Sequence, residues 1–177
     1  MIGADMDKET TPQVRKILYA TDLSVNSSYA FFYATEMARR FGAGIVIVHA
    51  VEPFPQVIEL FAGEEAGKIE MKEEKETTEE IQGLLAEFCR KMTSQMGPPC
   101  GELVTQIIVA HGHPPDEILK TADEEDCDVI VLGSHGKGFL AHTFLGSVSS
   151  EVLHRTRKPV FIVPLPREKG GASLEEI

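Results

Sequence analysis

Basic residues are scarce in this chain. Its 177 residues carry 17 Lys plus Arg against 28 Asp plus Glu, a formal net charge of -11 at pH 7. Such a field repels the phosphate backbone of nucleic acid unless a local patch overrides it. The nearest approach to a patch, Arg155-Thr156-Arg157-Lys158, is short and precedes Pro159 at an expected helix end, where cations complement the dipole. Nucleic acid is therefore not the expected partner. Cysteine is sparse as well: Cys89, Cys100 and Cys127 are scattered with no C-x-x-C pair, which argues against a disulfide framework or a zinc knuckle and fits a reducing cytoplasm. No apolar run approaches the roughly 20 residues of a membrane span. Residues 1–13 are polar and acidic, without the basic-then-apolar order of a signal peptide. These absences lead to the expectation of a soluble cytoplasmic protein with no membrane partner.

The signatures of several enzyme classes are missing too. The P-loop pattern fails because Gly138 follows Gly136-Lys137 and Val131 stands where the first glycine belongs. Gly136-Lys137-Gly138-Phe139-Leu140-Ala141 matches G-x-G-x-x-A, but the dinucleotide fingerprint follows the first strand of its unit and needs an acid about twenty residues on for the ribose. Here that stretch reads Arg155-Thr156-Arg157-Lys158-Pro159. No G-x-S-x-G elbow and no H-E-x-x-H pair occur, and the adjacency of Ser134 and His135 does not by itself join hydroxyl to imidazole. Of the histidines, His49, His111, His113 and His135 fall near expected strand ends, yet their spacing suits no helical metal pair; no protein-ligated metal is expected. His142 and His154 are expected on a loop and a helix surface.

What is present is a periodic alternation of strands and helices in a chain of one domain's length, 42% hydrophobic. Residues 16–21 read as a first strand, followed by Asp22 and the capping types Ser24, Asn26 and Ser27. A helix over 27–41 should place Ala30, Ala34, Met37, Ala38 and Phe41 on one stripe and stop at Gly42. Residues 44–51 are apolar on both faces, as strands inside a parallel sheet are. The connection 52–66 carries Pro53, Pro55 and Gly63 among apolar Phe54, Val57, Ile58, Leu60 and Phe61. A long helix over 68–96 has a Glu- and Lys-rich first half and then Ile81, Leu84, Leu85, Phe88 and Met92 at helical spacing. A third strand over 103–110, a helix to about Ala122 opened by Pro114-Pro115-Asp116-Glu117, a fourth strand over 128–132, a helix over 147–156 and a fifth strand over 159–163 complete the order βαβαβαβαβ. No internal duplication is found.

This order predicts an α/β fold: a single, open, doubly wound, Rossmann-like parallel sheet of five strands with helices on both faces. The expected organisation is a flexible arm over 1–14, one domain over 15–165 and a flexible tail over 166–177. Ligands in such sheets bind beyond the carboxyl ends of the strands, where the winding reverses.

One stretch concentrates the chemistry. The apolar run Val129-Ile130-Val131-Leu132 breaks into Gly133-Ser134-His135-Gly136, and Gly146-Ser147-Val148-Ser149-Ser150 follows ten residues later. A strand, a glycine-hinged loop and a helix start in this order suit an anion: glycine admits close approach, and the free N–H groups and the dipole favour negative charge. With Thr21-Asp22 after the first strand and Gly112-His113-Pro114 after the third, the spacing Gly133-x2-Gly136-x9-Gly146-Ser147 resembles the universal stress protein family, over residues 16–164, and within it the branch that binds ATP, with ADP and AMP as the alternative nucleotides.

The resemblance implies that Asp22, after Thr21, and the backbone of Ala50 face an adenine, that Ala20 and Gly133 lie near the ribose, and that Gly136, Gly146, Ser147, Val148 and Ser149 surround the phosphates. Lys137 adds a flexible positive charge. Ala20 departs from the proline frequent in relatives, with little expected consequence for a backbone contact. The hydroxyls of Ser147 and Ser149 are available types for donation to phosphate oxygens, and a magnesium ion would be held mainly by the phosphates and water. The resemblance also implies a homodimer through the last strand, Val160-Phe161-Ile162-Val163, an apolar edge that is an aggregation hazard if unpaired. No catalytic residue is assigned, since the glycine loop holds no Asp or Glu to orient water; any ATP hydrolysis should be slow. The alternatives are a slow ATPase at the same site and a nucleotide-free interaction module using the acidic helix near 70–80 and the apolar segment 54–61.

Overall fold

The computed structural model describes residues 12–52, 63–96, 100–135 and 145–164. Strand β1 (Lys16–Ala20) leads through α1 (Val25–Phe41) to β2 (Gly44–Val51). The chain continues through α2 (Gly63–Met96), a one-turn α3 (Cys100–Leu103) and β3 (Val104–His111). Then come α4 (Pro114–Glu124), β4 (Val129–Gly133), α5 (Ser147–Arg155) and β5 (Val160–Val163). The five strands form one sheet in the order β3-β2-β1-β4-β5, and every adjacent pair is parallel. The expected doubly wound α/β fold is the observed one.

Period-two alternation divides the strand residues between two cores. Ile17, Tyr19, Ile45, Ile47, Val129 and Val131 pack beneath α1 and α2, against Ala30, Phe31, Ala34, Ala38, Leu85 and Met92. Leu18, Ala20, Val46, Val48, Ile130 and Leu132 face the other way, against Ile118 and Ala122 of α4 and Val152 of α5. Both faces are covered, which is why these strands read as continuous apolar runs.

Local signals set the boundaries. Ser24 caps α1 by accepting the Ser27 N–H, and Gly42 closes it at φ 66 with its N–H on the Ala38 carbonyl. The Asp128 carboxylate accepts the N–H groups of Arg15 and Lys16 at 2.7 and 2.9 Å, fixing the start of β1 from the entry to its neighbour β4. It thus stands just outside β4, which runs one residue further than expected to Gly133. Leu103 belongs to α3 rather than to the third strand.

Two stripe assignments need correction. Phe41 is 56% exposed, because it lies in the last turn of α1, beside Gly42. Phe31 is fully buried instead, its ring 5.1 Å from those of both Tyr19 and Phe88. Leu84 is likewise exposed, whereas its neighbour Leu85 is buried, so the inward line of α2 runs through Ile81, Leu85, Phe88 and Met92. The segments 1–11, 53–62 and 165–177 lie outside the described residues, and with them most of the arm, the apolar connection and the tail.

Candidate functional site

The strand order reverses between β1 and β4. The chain leaves β1 for α1 on one face of the sheet and leaves β4 for α5 on the other, so the two exits part where the register of β1 and β4 brings Thr21 level with Gly133, the place at which open sheets of this kind form a ligand crevice.

On the β1 side, Thr21 is buried and every polar group it carries is engaged. Its N–H donates to the Val48 carbonyl at 3.0 Å, its hydroxyl pairs with Ser27 Oγ at 2.9 Å and accepts the Leu23 N–H, and its carbonyl meets His49 Nδ1 at 2.7 Å. Asp22 Oδ1 accepts both the N–H and the hydroxyl of Ser24. Leu23 adopts φ 61, a left-handed conformation unusual for a branched side chain and therefore held by these bonds. Beneath the turn, the buried Tyr19 hydroxyl donates to the Ser27 carbonyl at 2.6 Å, and burial pushes the phenol well above its ordinary pKa.

On the β4 side, the Ser134 N–H donates to the Val163 carbonyl and the Ser134 carbonyl accepts the Gly146 N–H, both at 2.7 Å. Gly146 therefore lies directly against the strand end. A Cβ placed on it would stand 3.2 Å from the Ser134 oxygen and 3.6 Å from the His135 Cα, the close approach that glycine permits. The first intrahelical bond of α5 runs from the Ser150 N–H to the Gly146 carbonyl, and among the described residues no side chain caps the helix. Among the described residues, the N–H groups of Ser147, Val148 and Ser149 are thus the open donors of a helix start, at the positive end of its dipole.

The expected residues that are described, Ala20, Thr21, Asp22, Ala50, Gly133 and Gly146 to Ser149, lie at or beside the ends of β1, β2 and β4 and the start of α5. Ser149 is buried, and its hydroxyl donates to the Gly133 carbonyl at 2.8 Å. That proton braces the end of β4, whereas Ser147 is exposed. Ala20 ends β1, and Ala50 lies two residues beyond Val48, the partner of Ala20. Gly136 and Lys137 lie outside the described residues.

The histidines engage separate partners: His49 the Thr21 carbonyl, His111 the Thr78 hydroxyl at 2.7 Å, and His113 the Asp116 carboxylate at 3.2 Å. His135 Nδ1 lies 3.0 Å from Ser134 Oγ, a contact that the adjacency of the two residues left open. His154 is on the surface of α5, as expected, with Nδ1 against the Ser150 carbonyl; His142 lies outside the described residues. The bond from His49 to Thr21 was not foreseen. A histidine at a strand end was the signal available, but its acceptor is a carbonyl 28 residues earlier. Among the described residues, His113, Asp116 and Glu151 group their ligand atoms within 4.8 Å, and Arg155 already bonds both carboxylates.

A model of the Universal stress protein family matches residues 13–164. The chain belongs to this family. Universal stress protein MJ0577 of Methanocaldococcus jannaschii is 28% identical over 155 residues, covering 84% of this chain and 94% of that protein. A universal stress protein of Thermus aquaticus is 30% identical over 149 residues, covering 84% and 98%. The solved structure of MJ0577 superposes with a TM-score of 0.69 at 26% identity, covering 88% of this chain and 99% of that one. A universal stress protein solved in complex with cAMP shares the fold, with a TM-score of 0.57 at 24% identity over 85% and 97% of the two chains. Among the described residues of this universal stress protein, no helix is long and apolar enough to cross a membrane.

Proposed function

We propose that this universal stress protein binds ATP at the crevice between β1 and β4 and acts as a nucleotide-dependent stress-response or signalling module in the cytoplasm. The observation that carries the reading is the uncapped start of α5. Three backbone donors, a glycine that admits close approach and the exposed Ser147 hydroxyl stand together at the point where the strand order reverses. In this arrangement Asp22 and the backbone of Ala50 face the adenine, Ala20 and Gly133 flank the ribose, and Gly146 to Ser149 hold the phosphates, with Gly136 and Lys137 completing the loop. Ser149 serves through its N–H while its hydroxyl supports Gly133.

The donors around α5 are N–H and O–H groups, which suit an anion rather than a cation, so a magnesium ion would take its ligands from the phosphates and water. It would supply charge neutralisation between the phosphate oxygens. The chain's own residues hold and orient the nucleotide, and none of them is assigned a catalytic step.

A homodimer through β5 belongs to the same reading. Phe161 and Tyr33 are each 40% exposed, with rings 5.9 Å apart, so an aromatic patch adjoins the edge strand of the sheet. Pairing β5 with a second copy would cover both the patch and the unpaired strand edge.

The test begins by denaturing freshly purified protein and identifying any released nucleotide by mass spectrometry, then titrating the stripped protein with ATP and magnesium. Released adenine nucleotide or saturable binding is the expected result. An empty protein that ignores added ATP would reduce the glycine loop to a structural connection and favour the interaction module.

A further inference from the structure

We propose that His49 terminates the ladder between β1 and β2 one bond early, and that this termination leaves the backbone of Ala50 available to select adenine over guanine. The inference rests on the nucleotide reading above and goes beyond it by assigning a residue that sets base specificity.

In a parallel ladder, alternate residues of a strand direct both their N–H and their C=O toward the same neighbour. The Thr21 N–H donates to the Val48 carbonyl, so Val48 points toward β1, and Ala50, two residues on, points the same way. Val51 points oppositely, as its bond from the Gly112 N–H on the β3 side shows. If the ladder continued, the Ala50 N–H would next meet the Thr21 carbonyl. That carbonyl instead takes the His49 ring at 2.7 Å. A carbonyl oxygen only accepts, so Nδ1 carries the proton, and the ring is fixed as a donor at that atom. His49 is only 8% exposed, which holds the ring in place. Just beyond, Leu23 at φ 61 turns the chain away toward α1.

Among the described residues, Ala50 is thus left past the end of β1 with one donor and one acceptor on the β1 side that no backbone group takes up. Adenine offers a ring-nitrogen acceptor beside an amino donor, whereas guanine offers a ring N–H donor beside the O6 acceptor, the reverse order. With the sugar and phosphates fixed between β4 and α5, the Ala50 pair matches one base and would be left unpaired by the other. A site that must leave buried polar groups unpaired rejects a ligand far more strongly than one that merely loses a contact. His49 is a positioning residue, acting on the base through Thr21 and Ala50.

The experiment measures the affinity of the intact chain for ATP, GTP and inorganic tripolyphosphate by calorimetry, in wild type, His49→Leu and His49→Asn. Leucine removes the donor and frees the Thr21 carbonyl for the Ala50 N–H. The Asn amide nitrogen occupies nearly the place of Nδ1 and keeps the donor. The expected result for His49→Leu is a loss of ATP affinity of about tenfold, a preference for ATP over GTP reduced to within about threefold, and unchanged tripolyphosphate binding. His49→Asn should restore most of the preference.

Wild-type ATP binding with an unaltered ratio in His49→Leu would overturn this inference alone, whereas a wild type indifferent to both nucleotides would overturn the site reading with it. Should His49→Leu fail to fold, hydrogen exchange of the Ala50 amide in the wild type decides the matter. Fast exchange that slows at least about tenfold on adding ATP is expected, and equal protection in both states would sink the proposal.

Discussion

Helices α4 and α5 both begin at the carboxyl edge of the sheet, pack on the same face and start with opposite chemistry. In α4 the first two residues, Pro114 and Pro115, have no N–H to offer, and the next two N–H groups, of Asp116 and Glu117, both donate to the His113 carbonyl at 3.0 and 3.1 Å. The same two residues place acidic side chains on the positive end of the dipole. That turn is satisfied and negatively charged before any ligand arrives. In α5 the N-cap is Gly146, which has no side-chain oxygen, and the first turn holds no acid and no proline. One fold position is thus closed in one helix and left open in the other through four residues, and the phosphate site proposed above lies at the second.

The sharpest way to break this contrast is to fill the space that Gly146 leaves. Gly146→Val puts a branched side chain where a Cβ alone already stands 3.2 Å from the Ser134 oxygen. We expect ATP affinity to fall about a hundredfold, roughly 3 kcal/mol, by calorimetry. Gly146→Ala, which asks the strand end to yield by only a few tenths of an ångström, should cost less. Undiminished affinity in Gly146→Val would remove α5 from the site.

Next in size is the conversion of α5 toward α4 by charge. Ser147→Asp sets a carboxylate among the open N–H groups, where it should stabilise the helix by about 0.5 kcal/mol and yet weaken ATP binding by about tenfold through repulsion of the phosphates. Opposite signs in melting temperature and affinity are the diagnostic result. Parallel losses would mean that the first turn of α5 is structural.

A smaller pair of changes separates the two serines. Ser149→Ala removes the buried bond to the Gly133 carbonyl, and should cost about 1 kcal/mol of stability in denaturant unfolding. Ser147→Ala removes an exposed hydroxyl, and should leave stability unchanged while lowering ATP affinity about threefold. Reversed outcomes would return the phosphate-facing hydroxyl to Ser149.

This division of labour marks where the sequence stops being legible. The sheet was readable because its strands are apolar on both faces, and Gly42, Ser24 and Gly146 announce helix ends through backbone chemistry that acts within a few residues. The Ser149 hydroxyl and the His49 ring were not readable, because each answers a carbonyl on another strand, 16 and 28 residues away. Phe41 fell the wrong way and the buried Phe31 was missed for a related reason: a stripe drawn on one helix does not show where the sheet beneath it ends. Local bonds leave a signature in composition and spacing, and bonds between elements leave one only in the register of the sheet.

The first turn of α4 supplies the last and smallest test. The Arg155 guanidinium, at the far end of α5, bonds Asp116 and holds its carboxyl below the ordinary carboxylate range, with His113 adding to the effect. A carboxylate with a folded pKa below its unfolded value of about 3.9 contributes stability that is present above that value and lost as pH falls through the folded one. Both partners are exposed, so the contribution should be small and should shrink with added salt. Asp116→Asn should therefore lower the melting temperature slightly at neutral pH, by an amount that disappears as pH falls through the lowered folded pKa, and should leave ATP affinity untouched. A difference that survived in acid would assign the loss to packing rather than charge. A gain in ATP affinity would mean that the negative turn of α4 acts on the nucleotide across the face of the sheet, and that the two helix starts are not independent.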